Sequence, residues 1–400
     1  MIDFTPSEET RMIVKGLRSF IEKEVKPIEE KHREYFESEH KRLNEDGSLK
    51  PEVKAAIDKV RMRSGELGYY GMHMPADVGG GGIDRVGMFF AHREMARHGL
   101  GLNMYTLAGP EGPTQMLLNL NDAQRKKFLA PLVKGEITTC FGLTEPEAGS
   151  DIKNLTTKAE KQGDSFILNG MKTFITNAAH ADFVQVFAVT DSKLYKESGY
   201  QGVTTFIIEK DRPGFKVGKI NRSIIDDGGQ AELIFENCKV PKENVIGQEG
   251  MGFYVAMSWI GVGRLNIASM CVGMAEYLLE KSVEYAQQRT TFGKPISKYQ
   301  HVRGMLADIA TELYAAEHMV LNCAWRMDQG EQVVKESSFV KYFCTNMLFR
   351  AADKAVQIHG GMGVMKELPI ERIFRFARVL RIVEGTDEIQ KETIARSLGL

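Results

Sequence analysis

The stretch SFILNGMKTFIT, residues 165–176, decides the fold. Apolar and polar residues alternate along it, which is the period of a half-buried strand. Asn169-Gly170 in its middle predicts a tight hairpin turn, because that dipeptide accepts the positive φ angles such turns need. The same period holds on either side, from about Ile137 to Ile246. DFVQVFAV, GVTTFIIE and AELIFEN supply further strands between turns bearing Gly, Asp and Pro. The reading is a compact antiparallel β domain over 137–247.

Outside it the period becomes helical. IVKGLRSFIEKEV, PEVKAAIDKV opening on Pro51, DRVGMFFAHREMARHG ending on Gly99 and DAQRKKFLAPLVKG predict a helical domain over 1–136. Three long segments after residue 248 repeat apolar residues at i, i+3, i+4 and i+7, predicting a bundle over 248–400. The expected class is α+β, mostly α. A doubly wound dinucleotide fold needs strands and helices in alternation, which this order lacks. GGGG at 79–82 and GGMG at 360–363 neither follow a strand nor open a helix. The first is expected to be a structural loop and the second a helix end.

Composition narrows the class. Four hundred residues exceed one ordinary core, and 43% apolar with 26% charged residues is a globular balance. A net charge of −1 argues against a nucleic-acid-binding surface. No apolar stretch reads as long as a membrane span. The start, MIDFTPSEETRMIVKGL, lacks both an apolar leader and an Arg/Ser-rich one. It predicts a helix capped by Thr5 or Ser7 with Pro6 at its first position. The five cysteines are scattered without metal spacing, so a cytoplasmic, reduced, metal-free protein is expected.

Chemistry is suggested by four segments. CFGLTEPEAGSD, 140–151, combines short hydroxyl and small residues with two carboxylates read as exposed; it is either a long turn or a cradle for a polar ring and a phosphate. KTFITN, 172–177, puts Phe174 and Thr176 on one face of a strand, as core packing or as a platform for a ring. QRTTFGKPISKYQ, 288–300, ends a helix on Arg289 before a Phe292-Gly293 turn. In RVLRIVEGTDEIQKETIAR, 378–396, an apolar helix breaks at Glu384. Gly385 reads there as a terminator, Thr386 or Asp387 as the next cap, and Gln390 as capping-box partner of Asp387.

LTEPEAGSD, FITN, RTTFGKPI followed by Gln300, QIHGGMG and IVEGTDEIQ stand in one order over some 250 residues. With them the chain resembles the acyl-CoA dehydrogenase family along essentially its whole length. The resemblance implies an N-terminal α-helical domain, a middle β-barrel and a C-terminal four-helix bundle, binding FAD. It places Phe141, Leu143, Thr144 and Ser150 beside the flavin, with Ser150 nearer the substrate phosphates. Phe174 becomes the stacking partner, where most relatives carry tryptophan, with Ile175 alongside and Thr176 near flavin N5. Arg289, Phe292 and Gln300, and then Gln357, Gly360 and Gly361, match groups holding the pyrophosphate and adenine end, partly from a neighbouring subunit. Thr386 and Glu388 match the turn at the adenylate, and Arg264 with Gly385 belongs to the acyl-CoA side. A common aspartate is replaced by Gly261, which leaves coenzyme A contact there open.

The resemblance makes Glu384 the base that removes an α-proton from an acyl-CoA thioester while a hydride leaves to flavin N5. Electrons then pass to an electron-transferring flavoprotein. The alternative site for the base, one residue before Arg264, is Gly263. A free glutamate is too weak a base at neutral pH, so burial against Ile382, Val383 and substrate is expected to raise it by about two or three pK units. The family also implies a homotetramer, a dimer of dimers. A same-fold oxidase or monooxygenase, or a flavin-free scaffold, is the alternative. In NMYTLAGPEGPTQ, 103–115, Gly109, Pro110, Gly112 and Pro113 are expected to break the helix that relatives lay along the acyl tail.

Overall fold

The computed structural model describes residues 4–37, 39–225 and 228–400. Met1–Asp3, where the N-terminal reading began, lie outside the described residues. The first helix is Glu8–Phe20, and Ser7 is its cap, accepting the Thr10 N–H at 3.0 Å. Pro6 therefore precedes the cap instead of opening the helix.

Packing divides the chain into two units, each built from separated segments. One contains Met1–Ser38, Ile83–Thr106 and Gly261–Leu400; the other contains Glu39–Gly82 and Leu107–Ile260.

The second unit is organised by one eight-stranded sheet. Its strands are β1 (Thr139–Gly142), β2 (Lys158–Gln162), β3 (Ser165–Thr176), β4 (Phe183–Val189), β5 (Val203–Glu209), β6 (Phe215–Ile220), β7 (Gln230–Pro241) and β8 (Val245–Ile246). They lie in the order β6-β7-β3-β2-β4-β5-β8, with β1 joined to β4. The sheet is mixed, because β1 and β2 run parallel to β4. Phe166, Leu168, Ile175, Val184, Val186, Phe206, Leu233 and Phe235 fill its core.

SFILNGMKTFIT is one continuous strand and not a hairpin. The turn falls earlier, with Gln162 paired to Ser165, and β3 then lies along β7 with register shifts at Leu168/Gly170 and Lys172/Ile175. Asn169-Gly170 forms the first of these bulges. The physical reason is a close approach: Gly170 sits at φ +148 and a Cβ there would lie 2.6 Å from the Thr157 Cα. Asn169 meets Asn237 across the strands, accepting its backbone N–H at 2.8 Å.

The other unit is helical. Glu8–Phe20 and Arg85–Ala96 join Gln300–Asp328, Val334–His359, Ile370–Leu380 and Asp387–Ser397, together with Gly252–Gln288 from Gly261 on. Leu265, Ala268, Val272, Leu278, Val320, Met347, Leu348 and Ile373 form a continuous apolar core. Arg18 binds Glu94 through two hydrogen bonds of 2.8 and 2.7 Å, tying the first helix to helix Arg85–Ala96. Helix Gly252–Gln288 corrects one expectation. By length and composition it is apolar enough to cross a membrane, with a window of mean hydropathy 1.3. Arg264 is its sole charge before Glu276. But 61% of that window is buried inside the protein, as in the core helix of a soluble bundle.

Candidate active site

Phe141, Leu143, Thr144, Ser150, Phe174, Ile175 and Thr176 belong to the β-containing unit. β1 leads into a loop that is fastened at each step to β3. The Thr173 N–H donates to the Thr144 carbonyl at 2.9 Å, and Lys172 Nζ donates to the Leu143 carbonyl at 3.2 Å. Glu145, read as exposed from the sequence, is buried. Its carboxylate meets Lys172 Nζ at 2.7 Å with both side chains wholly buried, and it also accepts Thr156 and Thr157 donors. Burial opposes the Glu145 charge, but Lys172 and these donors hold its carboxyl below the usual range. Burial brings the Lys172 ammonium down to about 8.

Beyond that anchor the second bulge turns Phe174 outward. Phe174 is 65% exposed at φ +56, a conformation costing a non-glycine residue about 1–2 kcal/mol. Thr176 is exposed on the same face, whereas the Ile175 side chain is buried in the β core and leaves only its backbone there. An aromatic face and a hydroxyl thus stand side by side on an open surface, as stacking and hydrogen bonding to a planar ring require. Phe141 is half-buried, edge-on to Phe187 with centroids 4.9 Å apart. Leu143 and Thr144 are half-buried, and Ser150 is exposed. The segment 106–114 carries no helix, as its Gly-Pro pairs predicted.

The remaining residues belong to the helical unit. Glu384 and Gly385 both sit at positive φ, +54 and +88, between helices Ile370–Leu380 and Asp387–Ser397. The strained residue is the glutamate itself, which a simple glycine terminator does not demand. Three buried side chains hold this turn by its carbonyls. Gln390 Nε2 donates to Glu384 O at 3.1 Å and to Gly385 O at 2.9 Å, Lys341 Nζ donates to Gly385 O at 2.8 Å, and Arg264 Nε reaches Glu384 O at 3.4 Å. Arg264 also donates to Ser338 Oγ at 3.1 Å, and burial lowers its guanidinium pKa. Thr386 caps the following helix, accepting the Ile389 N–H at 3.3 Å. The capping box expected for Asp387 is absent, because Gln390 is spent on the turn and Asp387 accepts Arg381 and Asn346 at 2.8 and 3.0 Å. Glu388 is exposed in the first helical turn, its carboxyl lowered by its own backbone N–H and Thr386. Glu384 is half-buried, while Ile382 and Val383 are 54% and 39% exposed. The apolar wall expected around the carboxylate is therefore open in the protein alone.

Two more places carry exposed recognition groups. Thr290–Thr291 and Lys294–Pro295 pair as a hairpin with Phe292 and Gly293 at φ +49 and +81, a turn matched to strand twist. Phe292 at its tip is 95% exposed, and Arg289 and Gln300 are exposed at either end. Helix Val334–His359 ends on Gly360 at φ 59 and ψ −136, a region reserved for glycine. A Cβ on Gly360 or Gly361 would meet nothing within 4 Å, and Gln357 is exposed just before them. These open, glycine-lined and cationic surfaces fit a dinucleotide cofactor.

Sequence reasoning missed Glu145, Lys172, Lys341 and Gln390 as supports. A lone lysine within a strand or helix pattern reads as solvated, and only the three-dimensional packing makes it internal.

Models of the acyl-CoA dehydrogenase N-terminal, middle and C-terminal domains match residues 7–136, 140–238 and 250–399. An acyl-CoA dehydrogenase of Bacillus subtilis is 40% identical over 341 residues, covering 84% of this chain and 88% of that protein. The caffeyl-CoA reductase-Etf complex subunit CarC of Acetobacterium woodii is 36% identical over 98% of both chains. The structure of an acyl-CoA dehydrogenase complexed with FAD from Bacillus anthracis superposes with a TM-score of 0.85 at 31% identity, covering 100% of this chain and 68% of that one. The fold and the site thus define a flavin-dependent oxidoreductase. The chain belongs to the acyl-CoA dehydrogenase family, and FAD is its cofactor.

Proposed function

We propose that the protein interconverts an acyl-CoA thioester and its trans-2-enoyl-CoA, with Glu384 as the α-proton base and an electron-transferring flavoprotein as redox partner. The observation that carries this reading is Glu384 itself, held at φ +54 by buried donors on the carbonyls beside it. A carboxylate at the end of a helix merely bordering a turn needs neither the strain nor the supports. Bound FAD supplies the hydride acceptor, and Phe141, Leu143, Thr144, Ser150, Phe174, Ile175 and Thr176 are the residues proposed to hold its ring side.

The proposed chemistry balances simply. The α C–H bond breaks and its proton passes to a Glu384 oxygen. The electron pair left behind forms the Cα–Cβ double bond as the β-hydrogen departs with its own pair. Substrate completes the base: an acyl chain over exposed Ile382 and Val383 removes water from the carboxylate and raises its basicity. In the reverse direction protonated Glu384 returns the α-proton, which suits the reductase named among the relatives. Arg264 and Gly385 line the acyl-CoA side of the same turn.

Exposed Phe292, with Met362, Val364 and Met365 at 44%, 57% and 44%, supports assembly as a homotetramer, a dimer of dimers. In it Arg289, Phe292, Gln300, Gln357, Gly360 and Gly361 complete FAD sites partly across subunits, and Thr386 and Glu388 meet the adenylate. A flavin-replete monomer on sedimentation would exclude that assembly. The domains proposed are 1–136, 137–247 and 248–400.

The test of the reaction is Glu384→Gln, which keeps size and hydrogen bonding but not basicity. Anaerobic flavin bleaching by a good substrate should slow by about 10⁴-fold, with FAD content unchanged. Bleaching within a few-fold of the unaltered protein would refute the assignment.

A further inference from the structure

Lys341 is wholly buried in the middle of helix Val334–His359. Among the described residues no carboxylate forms an ion pair with it, and its one hydrogen bond goes to the Gly385 carbonyl at 2.8 Å. Buried ammonium groups ordinarily carry a partner of opposite charge, since desolvation is otherwise uncompensated. The nearby carboxylate of Asp387 attracts the ammonium from a distance, but its hydrogen bonds, both on Oδ2, come from Arg381 and Asn346. The cation therefore sits here without an ion pair of its own. The carbonyl it holds belongs to the residue following Glu384, and both residues are at positive φ.

We propose that Lys341 is a positioning residue for the reaction: by fixing the Gly385 carbonyl it keeps Glu384 in the left-handed conformation that presents its carboxylate to the substrate's α-carbon. Gln390 holds the same carbonyl from the helix on the other side of the turn, at 2.9 Å. Two donors from two helices converge on one acceptor, so the peptide after Gly385 cannot rotate without breaking both, and Gln390 holds the Glu384 carbonyl of the preceding peptide as well. The inference rests on Glu384 being the base.

Burial lowers the Lys341 ammonium to about 8, so the strength of this donor changes within an accessible pH range. The groups facing it are Asp387 from the following helix, Glu384 from the turn, and Arg264 and Cys271 from helix Gly252–Gln288. Burial pushes the Cys271 thiol up to about 12, outside that range.

The experiment compares Lys341→Met with the unaltered holoenzyme. A one-ångström misplacement of a reacting group costs up to about 10²-fold, so anaerobic flavin reduction by saturating acyl-CoA should slow by about 10- to 100-fold. Acyl-CoA affinity and FAD content should stay within about threefold, because Lys341 is proposed to touch neither. The melting temperature should hold or rise, since an unpaired buried charge has gone. In the unaltered enzyme the reduction rate should fall as pH rises through about 8, and the methionine variant should lack that inflection. A variant that reduces flavin at the normal rate but melts lower, or that fails to fold, overturns the proposal by making Lys341 structural. Glu384→Gln separates the two readings. If that variant also reduces normally, the base assignment has failed; if it is inactive while Lys341→Met is normal, only the positioning role has.

Discussion

Lys172→Met removes the cation from an ion pair in which neither side chain reaches solvent. Methionine matches the length of the lysine stem, so the perturbation is chiefly electrostatic. Glu145 keeps three donors, the Thr156 N–H and hydroxyl and the Thr157 N–H, at 2.6, 2.7 and 3.0 Å. Breaking one side of a buried pair costs about 3–5 kcal/mol, and the remaining donors place this case near the lower end. The Leu143 carbonyl also loses its donor at 3.2 Å, worth about 1 kcal/mol more. A loss of about 4 kcal/mol corresponds to a fall in melting temperature of roughly 5 °C for a chain of 400 residues, at about 2 cal/mol/K of unfolding entropy per residue. The loop from Leu143 to Thr144 should loosen as well, releasing FAD on gel filtration. Pairing the change with Glu145→Gln removes the stranded charge and should restore at least half of the stability. Melting followed by fluorescence, with the flavin-to-protein absorbance ratio after filtration, reads both effects. If the single variant melts within about 2 °C of the parent and keeps its flavin, the loop is not anchored as argued.

Two further outcomes follow from other parts of the helical unit. Gly385→Ala puts a Cβ 2.8 Å from Gln390 Nε2 at φ +88. Strain plus one displaced hydrogen bond amounts to about 2–3 kcal/mol in urea unfolding, with flavin reduction slowed more than acyl-CoA binding is weakened. Glu94→Gln tests acid sensitivity. Burial would raise this carboxyl, but the hydrogen bonds from Arg18 and His98 outweigh it and hold it near 2. Because the folded value lies below the unfolded one, the contribution is complete above about pH 4.5 and vanishes as pH falls towards 2. The variant should therefore lose about 2–3 kcal/mol at pH 7, allowing for the half-exposed arginine, and almost nothing near pH 2.

The three-part order was legible because hydrophobic period is a local property. The limits of the β segment, Ile137 and Ile246, fall beside the ends of β1 and β8. Register was not legible. Asn169-Gly170 carries a hairpin signature, yet the contact that forces glycine at 170 comes from Thr157, thirteen residues away and invisible to a local rule. Glu145 misled for a related reason: its partner Lys172 looks like a solvated strand residue until β3 folds over the loop. That helix Gly252–Gln288 is apolar enough to span a membrane was hidden by glycines and small polar residues that break the visual run of apolar letters. At Glu384 the sequence indicated a helix end but not which residue takes the strain. Gln390, placed one turn into the next helix, looked like a cap because its true acceptors lie behind it in the chain.

The helical unit is assembled from segments far apart in the chain, and synthesis delivers them in order. Helix Glu8–Phe20 is complete early, and Arg85–Ala96, which carries the Glu94 that Arg18 binds, follows within about a hundred residues. The segments that close the core begin only at Gly261. At about 5–20 residues per second, the first helix waits on the order of ten to fifty seconds for them to emerge. Throughout that interval the face bearing Phe89 and Ala96, which packs with the later helices, has no permanent cover. The nascent chain should therefore be a client for holding chaperones, and truncations ending before residue 261 should aggregate while the β sheet within them still pairs.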